Sequence, residues 1–405
     1  MVHCKRKYHI DSKYYHMRYY ATMNFDKDIT KQDMIVSELR GSIARNELEA
    51  GARLPIRSEL EIRFGASRMT VQKALDRLIR EGFVQPRGRL GTMVVPHPPC
   101  LCRYGVVFYD SPHDPTWGGF HAAILRVGHE LNEAPGREIV FYFGVNREVT
   151  GDYERLSADL WAERLAGVLF TTGPWFLLGT PIVQQRRIPA MAVMRHVNRK
   201  DKLAHFDSLQ LDRDSLLREG LRTLVEKGSR RPAFLIAAAS YPVYVEAIRA
   251  ALAERSMPYD PALIQGVPLE QGKLAAHVAL LWMRLPIGER PDGLFICDDN
   301  LVEPACGGLL QSGVRPGIDL PVAVDANFPA RVGSPTLLDR VGFDMRSLLH
   351  QFIENTDARR AGRPATEAIL LPAVLEENSN PARGVRGEDD ADGSQVVIAA
   401  PVGAG

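Results

Sequence analysis

The sequence predicts an α+β helix–turn–helix unit with a β-hairpin wing, followed by a two-lobed α/β domain with parallel sheets. Three observations predict it. Residues 30–95 hold three short amphipathic helix patterns, then two β-prone runs around a glycine-rich basic turn. Residues 104–375 alternate apolar strand-like runs with helical patterns, the signature of βαβ units. That alternation is too long for one simple sheet, so it divides into two lobes.

Each element has a local reason. Thr30 caps a helix that runs to about Arg45, with Ile35, Leu39 and Ile43 on one face. Gly51 and Pro55 break the chain. A second helix carries Ile56, Leu60 and Phe64, and Gly65 ends it in a left-handed cap. Ser67 caps a third helix that runs to Glu81 and stops at Gly82, with Val71, Ala74, Leu75, Leu78 and Ile79 as its apolar stripe. Phe83–Val84 and Met93–Val95 form the wing around the loop 86–91. Pro96, His97, Pro98 and Pro99 make a stiff stretch, and residues 96–103 read as a linker. Strands follow at 105–109, 139–143, 167–170, 190–194, 233–236 and 294–297, with helices between them at 214–227, 243–255, 271–284 and 300–312. From residue 376 the chain turns Asn-, Asp-, Gly- and Pro-rich and reads as a disordered tail.

Composition narrows the function classes. Apolar residues make up 45% of the 405 residues and charged residues 24%, which fits neither a disordered nor a membrane protein. No apolar run approaches the roughly 20 residues of a spanning helix. Lys5, Arg6, Lys7, Lys13 and Arg18 are followed by Tyr14, Tyr15, Tyr19 and Tyr20 rather than an apolar stretch, so no secretion signal is present. Residues 1–29 read as a flexible basic extension, and residues 1–22 as dispensable for stability and DNA affinity or as sequence upstream of a start at Met23. The five cysteines are odd in number and fit no zinc spacing, which points to reduced thiols and a cytoplasmic location. The sequence calls for no metal and no cofactor.

The net charge is only +1, yet residues 63–89 hold Arg63, Arg68, Lys73, Arg77, Arg80, Arg87 and Arg89 against Asp76 and Glu81. A local excess of this kind suits a phosphate backbone, although a solvated helix face has the same composition. The third helix leaves Arg68, Gln72, Lys73, Asp76, Arg77 and Arg80 opposite its apolar stripe, with Thr70 at the border. Arg68 offers two hydrogen bonds to guanine and Gln72 can pair with adenine in a major groove. Ser67, Thr70 and Lys73 suit phosphates, and Arg87 and Arg89 on the wing suit a minor groove or the backbone.

These residues carry a resemblance. Arg53-Leu54-Pro55, Glu59-Leu60, Phe64-Gly65, Ser67-Arg68-Met69-Thr70-Val71, Ala74-Leu75, Leu78, Glu81-Gly82 and Gly91-Thr92 resemble the DNA-binding domain of the GntR family. The family usually continues Leu-Pro with Ser-Glu-Arg, whose arginine tends to contact DNA. Here Ile56, Arg57 and Ser58 stand there, and Arg57 replaces that contact one position early. The resemblance implies a double-stranded operator as partner and a homodimer as the binding form.

The larger domain resembles the LacI/GalR-type, periplasmic-binding-protein-like sensor. Leu224–Gly228 before strand 233–236, Asp298-Asp299 after strand 294–297, Gly313-Val314 with Pro316, Pro335–Leu337 and Ile369–Pro372 carry that likeness. Arabinose-responsive regulators combine the same two domains. The resemblance implies a repressor whose operator affinity is set by a small molecule bound between the lobes, with a sugar as the class it suggests. Two departures weaken the sugar reading: Tyr244 aligns where relatives carry an arginine, and Asp325-Ala326-Asn327 replaces a Gly-Phe-Asp turn. Trp117, Phe120 and Trp175 are candidates to stack on an effector, and Arg195, Tyr244, Asp299 and Asn327 to hydrogen-bond it; core packing explains the three aromatic residues equally well, solvation Arg195, and a cap on the following helix is the alternative for Asp299. The rival reading is a small-molecule-processing α/β enzyme fused to a DNA-binding domain. No phosphate-binding glycine loop, nucleophile elbow or His/Glu metal helix supports it, and the pairs His113-Asp114 and Asp298-Asp299 lack a third partner.

Overall fold

A computed structural model describes residues 30–114, 117–146, 150–194, 202–330, 338–363 and 368–376. The chain divides into two compact units between Pro98 and Pro99.

The first unit packs three helices, α1 (Lys31–Ala44), α2 (Arg57–Phe64) and α3 (Arg68–Arg80), with a hairpin, β1 (Val84–Pro86) and β2 (Thr92–Val94). Thr30 closes a capping box on α1: its hydroxyl accepts from the Asp33 amide at 3.2 Å while Asp33 accepts from the Thr30 amide at 3.3 Å. Gly65 ends α2 at φ 54°, a left-handed turn that a side chain would strain, and so sets the tight step into α3. The hairpin pairs Val84 with Val94, and Arg53 bridges Met93 from the other side. Leu39, Ile43, Leu60, Val71, Leu78, Phe83 and Val94 are fully buried between these elements.

An ion network ties α1 to the end of α3. Glu81 accepts from Arg40 and from Arg77, the latter at 3.0 Å, and Arg77 also reaches Asp33 at 2.9 Å. Arg40 is 5% exposed and lies over the Phe83 ring.

The second unit starts earlier than the linker expectation. Pro99–Cys102, read as linker, is one helical turn (α4) with Cys100 buried, and Arg103 already belongs to the first strand. Apolar Cys100 and Leu101 give the turn something to bury, which a proline-based reading overlooks. The remaining elements are β3 (Arg103–Val107), α5 (Gly119–Asn132), β4 (Glu138–Tyr142), α6 (Gly151–Trp161), β5 (Gly167–Phe170), α7 (Pro181–Gln184), β6 (Ala190–Val193) and β7 (Asp207–Leu211). Then come α8 (Arg213–Glu226), β8 (Pro232–Ala237), α9 (Tyr241–Glu254), β9 (Ile264–Val267), α10 (Leu274–Met283), β10 (Gly293–Ile296), α11 (Val302–Gln311) and β11 (Val322–Phe328). The last are β12 (Asp339–Asp344), α12 (Met345–Arg360), β13 (Ile369–Leu371) and β14 (Val374–Leu375).

They form two six-stranded sheets, ordered β13-β7-β6-β5-β3-β4 and β14-β12-β11-β10-β8-β9. All described pairings are parallel except β12 with β14. The chain passes between the lobes three times: after β7, after β12 and between β13 and β14. One buried apolar cluster runs through both, from Val106 and Ile124 in the first lobe to Phe234 and Phe295 in the second. Residues 1–29, Arg195 and 377–405 lie outside the described residues, and with them the calls on the N-terminal extension, the tail and the Arg195 contact.

Glu81→Gln leaves Arg40 buried without its counter-charge. In chemical denaturation of residues 30–98 followed by circular dichroism, the variant should lose about 3 kcal/mol of stability.

Candidate nucleic-acid interface and interlobe cleft

α3 is presented by its own cap. The Ser67 hydroxyl accepts from the Thr70 amide at 3.2 Å and lies 3.0 Å from the Thr70 hydroxyl, so both side chains fix the first turn as well as line it. Arg68 is exposed at that turn with no ion-pair partner among the described residues. Lys73 and Arg80 are exposed likewise, as are Arg87 and Arg89 on the wing. The basic stretch is less free than its composition implied. Arg77, placed by the sequence on the outward face, is held by Glu81 and Asp33, and Arg63 pairs with Glu38 at 2.9 Å. Gln72 donates to Asp76 at 2.6 Å, which directs its amide along the helix.

Between α3, the start of α2 and the wing runs a groove of about 450 Å³, lined by Arg53, Ile56, Arg57, Arg68, Gly91 and Thr92 among others. Three guanidinium side chains therefore share one hollow. Arg57 opens α2 and is exposed, beside Arg68 rather than remote from it. Arg53 escaped the sequence reading as a contact residue. Its side chain lies under Gly91, where a Cβ would sit 3.0 Å from Arg53 Nε, and the φ of 88° at Gly91 favours glycine as well. The Arg53-Leu54-Pro55 motif was the available signal.

In the second unit, loops at the carboxyl ends of the strands carry the candidate effector residues, where ligands bind in open α/β sheets. Trp117 and Phe120 flank the amino end of α5. Trp117 packs on Phe108, His121 and Phe143, with ring centroids 5.0, 5.1 and 5.9 Å apart. Burial depresses the His121 imidazole below its ordinary value, against the pull of Asp110. Trp175 lies in a 3-10 turn beyond β5 and is 42% exposed. Tyr244 sits within the first turn of α9, not before the helix, and is buried. Of the acidic pairs, Asp114 merely accepts from the Ser111 amide at 2.6 Å.

Asp298 and Asp299 play different parts. Asp298 caps the short turn 299–301 by accepting from the Asn300 amide at 3.0 Å. The capping role considered for Asp299 thus falls to its neighbour. Asp299 instead accepts from Asn327 Nδ2 at 2.9 Å and abuts the opposite lobe. A Cβ at Gly119 would lie 1.9 Å from Asp299 Oδ2, and one at Gly118 2.6 Å from Asn300 Oδ1. The carboxylate therefore rests on the positive end of α5. Burial, with Asp298 adding to it, pushes the Asp299 carboxyl up to about 6, against the Asn327 hydrogen bond.

The expected turn at 325–327 is strand instead. β11 continues to Phe328, paired with β12 from Ala323 opposite Asp339 to Phe328 opposite Asp344. Asp325 and Asn327 consequently share one strand face, two residues apart. Burial first, then Asp299 and Asp298, push the Asp325 carboxyl well above its ordinary range, and Asp325 Oδ1 is shielded from solvent with no hydrogen-bond partner among the described residues. Burial first, then Asp325 and Cys297, hold the Tyr244 phenol well above its ordinary value, against the pull of Arg213.

Residues 31–94 match the family model of bacterial regulatory proteins, gntR family. Over 63 residues the chain is 40% identical to the uncharacterized HTH-type transcriptional regulator YieP of Escherichia coli (strain K12), a match that takes in 16% of this chain and 27% of that one. The chain thus spans about a quarter of that relative's length. A regulatory protein of LacI family from Chloroflexus aggregans is similar in structure, with a TM-score of 0.51 at 16% identity over 67% of this chain and 96% of that one. The transcriptional regulator CelR in complex with cellobiose gives a TM-score of 0.51 at 20% identity over 76% and 88%. These likenesses establish the fold of the second unit as that of LacI-type regulators.

Arg68→Ala should weaken specific DNA binding by about 1–3 kcal/mol in fluorescence anisotropy, with little effect on non-specific DNA. Equal affinity for the specific site would remove Arg68 from the reading residues. For Asp299 the sign follows from a folded value above the unfolded one: ionisation costs the folded state, nothing is lost below about pH 4, and the full penalty stands above about pH 6. Asp299→Asn should therefore melt higher than the parent at pH 7.5, with the gap closing as the pH falls to 4.

Proposed function

We propose that this chain, a GntR-type DNA-binding domain joined to a domain with the LacI-type sensor fold, is a sequence-specific transcriptional regulator whose operator affinity is set by a small molecule between the lobes. The single observation that carries it is the pairing of two devices in one chain. One is a capped helix presenting Arg68 and Lys73, which have no ion-pair partner among the described residues, beside the basic wing; the other is a pair of parallel-sheet lobes crossed three times and meeting at Asp299. Ser67, Thr70 and Lys73 suit the phosphates, Arg57, Arg68 and Gln72 the base edges or nearby backbone, and Arg87 and Arg89 the adjacent groove.

One recognition helix spans few base pairs, so the operator-bound form is a homodimer on a pseudo-palindrome. Repression is the mode we favour, and the cytoplasm the place. Among the described residues no helix is long and apolar enough to cross a membrane. The effector contacts are Trp117, Phe120, Tyr244, Asp299 and Asn327, with Arg195 a further contact called from the sequence. The cellobiose complex of a regulator of this fold supports a polar small molecule as effector. The enzyme reading finds less support: Asp298 and Asp114 are spent on turns, and neither pair gains a catalytic partner.

The test combines a thermal-shift screen of small molecules with operator anisotropy, since a ligand that binds the folded state raises its melting temperature by mass action. A compound found this way should change operator affinity at least tenfold. Asp299→Asn should still fold and bind operator but cease to respond to that compound. A normal response at the same concentration would take Asp299 out of the effector site.

A further inference from the structure

The interlobe cleft is charged in a way that selects its ligand. Three carboxylates reach it from the second lobe: Asp298 and Asp299 beyond β10, and Asp325 on β11. All three are partly served. Asp298 takes both donors of Asn300, the amide at 3.0 Å and the side chain at 2.8 Å. Asp299 accepts from Asn327 at 2.9 Å and lies against Gly119 at the amino end of α5. Asp325 accepts from the Ala326 amide, but its Oδ1 is closed off from water and has no donor among the described residues. A buried acceptor left without a donor costs free energy that a bound partner recovers. The charged groups acting on Asp325 are Asp299, Asp298 and one cation, Arg213, which is exposed on the first turn of α8 and lies 6.0 Å from the Tyr244 ring. An exposed guanidinium is screened and does not neutralise three carboxylates.

Among the described residues no three acidic, histidine or cysteine side chains are placed to hold a metal ion. Asp299 and Asp298 both act on Asp325, and an organic cation that also donates hydrogen bonds answers the open Asp325 oxygen as well as the charge. The other walls agree: the Tyr244 ring is buried beside Asp325, and Trp117 and Phe120 flank the opposite side at α5, rings that attract a cation as well as cover an apolar frame.

Resting on the cleft reading above, we propose that the effector is a cation: a small polar molecule whose ammonium or guanidinium group is held by Asp325 and Asp299. A neutral sugar would leave the cleft with its charge excess. A cationic one supplies donors to Asp325 Oδ1 and a counter-charge for both carboxylates.

The experiment uses the full chain and two matched pairs of probes, glucosamine against glucose and putrescine against 1,4-butanediol, in calorimetry and thermal shift at pH 7.5. At least one amine should bind with an affinity at least tenfold above its neutral partner, and Asp325→Asn should lower that affinity at least tenfold. Asp325→Asn should also melt higher than the parent without any ligand, because it removes an uncompensated charge. If a neutral member binds as well as its amine, the charge class is wrong while the cleft reading stands. If no amine binds, or if Asp325→Asn melts lower than the parent, Asp325 is already satisfied and the proposal is overturned. Operator binding by the parent chain, measured separately, tests the regulator reading alone.

Discussion

Asp299 can rest on the first turn of α5 only because residue 119 is glycine. A methyl group there would lie 1.9 Å from the carboxylate oxygen, far inside van der Waals contact. That close approach brings side chains of one lobe onto backbone of the other, and the rest of the sensor domain is arranged around it. The three crossings leave the lobes joined along one side, and the strand ends facing the seam supply polar groups. Asp299 is held from its own side by Asn327, so its direction is set by β11 as well as by its loop.

Electrostatics divides the work between the two units. In the first, acidic groups are spent internally: Glu81, Asp33 and Glu38 engage Arg40, Arg77 and Arg63, while Arg53, Arg57 and Arg68 are left around one groove. In the second, Asp298, Asp299 and Asp325 lie together, and among the described residues the exposed Arg213 is the cation that acts on Asp325. The two regions thus carry an excess of opposite sign. A near-neutral chain hides both, because the net charge of +1 sums a basic DNA face and an acidic cleft.

Much of this was legible in the sequence where one residue has one physical job. Thr30 and Ser67 as caps, Gly65 as a left-handed stop and the apolar stripe of α3 placed three helices to within a residue or two. Strand 167–170 was read as it stands, because all four of its residues are buried. What stayed hidden depended on partners distant in sequence. β7 begins with Asp207, which reads as loop but is buried against Asn355 and Arg359 of α12. The 325–327 stretch of β11 reads as a turn, since an aspartate and an asparagine look like one until β12 pairs them. Gly118 and Gly119 gave no signal, because their need for space is created by Asn300 and Asp299 from the other lobe.

The same contrast explains why the DNA face was easier to read than the ligand. A recognition helix is local: its cap, stripe and outward arginines lie within fourteen residues, and the groove to be met has a fixed chemistry. The proposed effector site draws on α5, α9, the loop after β10 and β11, and its chemistry is a balance rather than a motif. No single residue of Asp298, Asp299 and Asp325 specifies a cation; the excess appears only when the fold sets all three beside a buried tyrosine with one exposed arginine nearby. Ligand class in such a domain is therefore a property of the unpaired charge that closure of the sheets leaves behind. The fold alone fixes where that charge collects, because it sends β10 and β11 side by side to the seam.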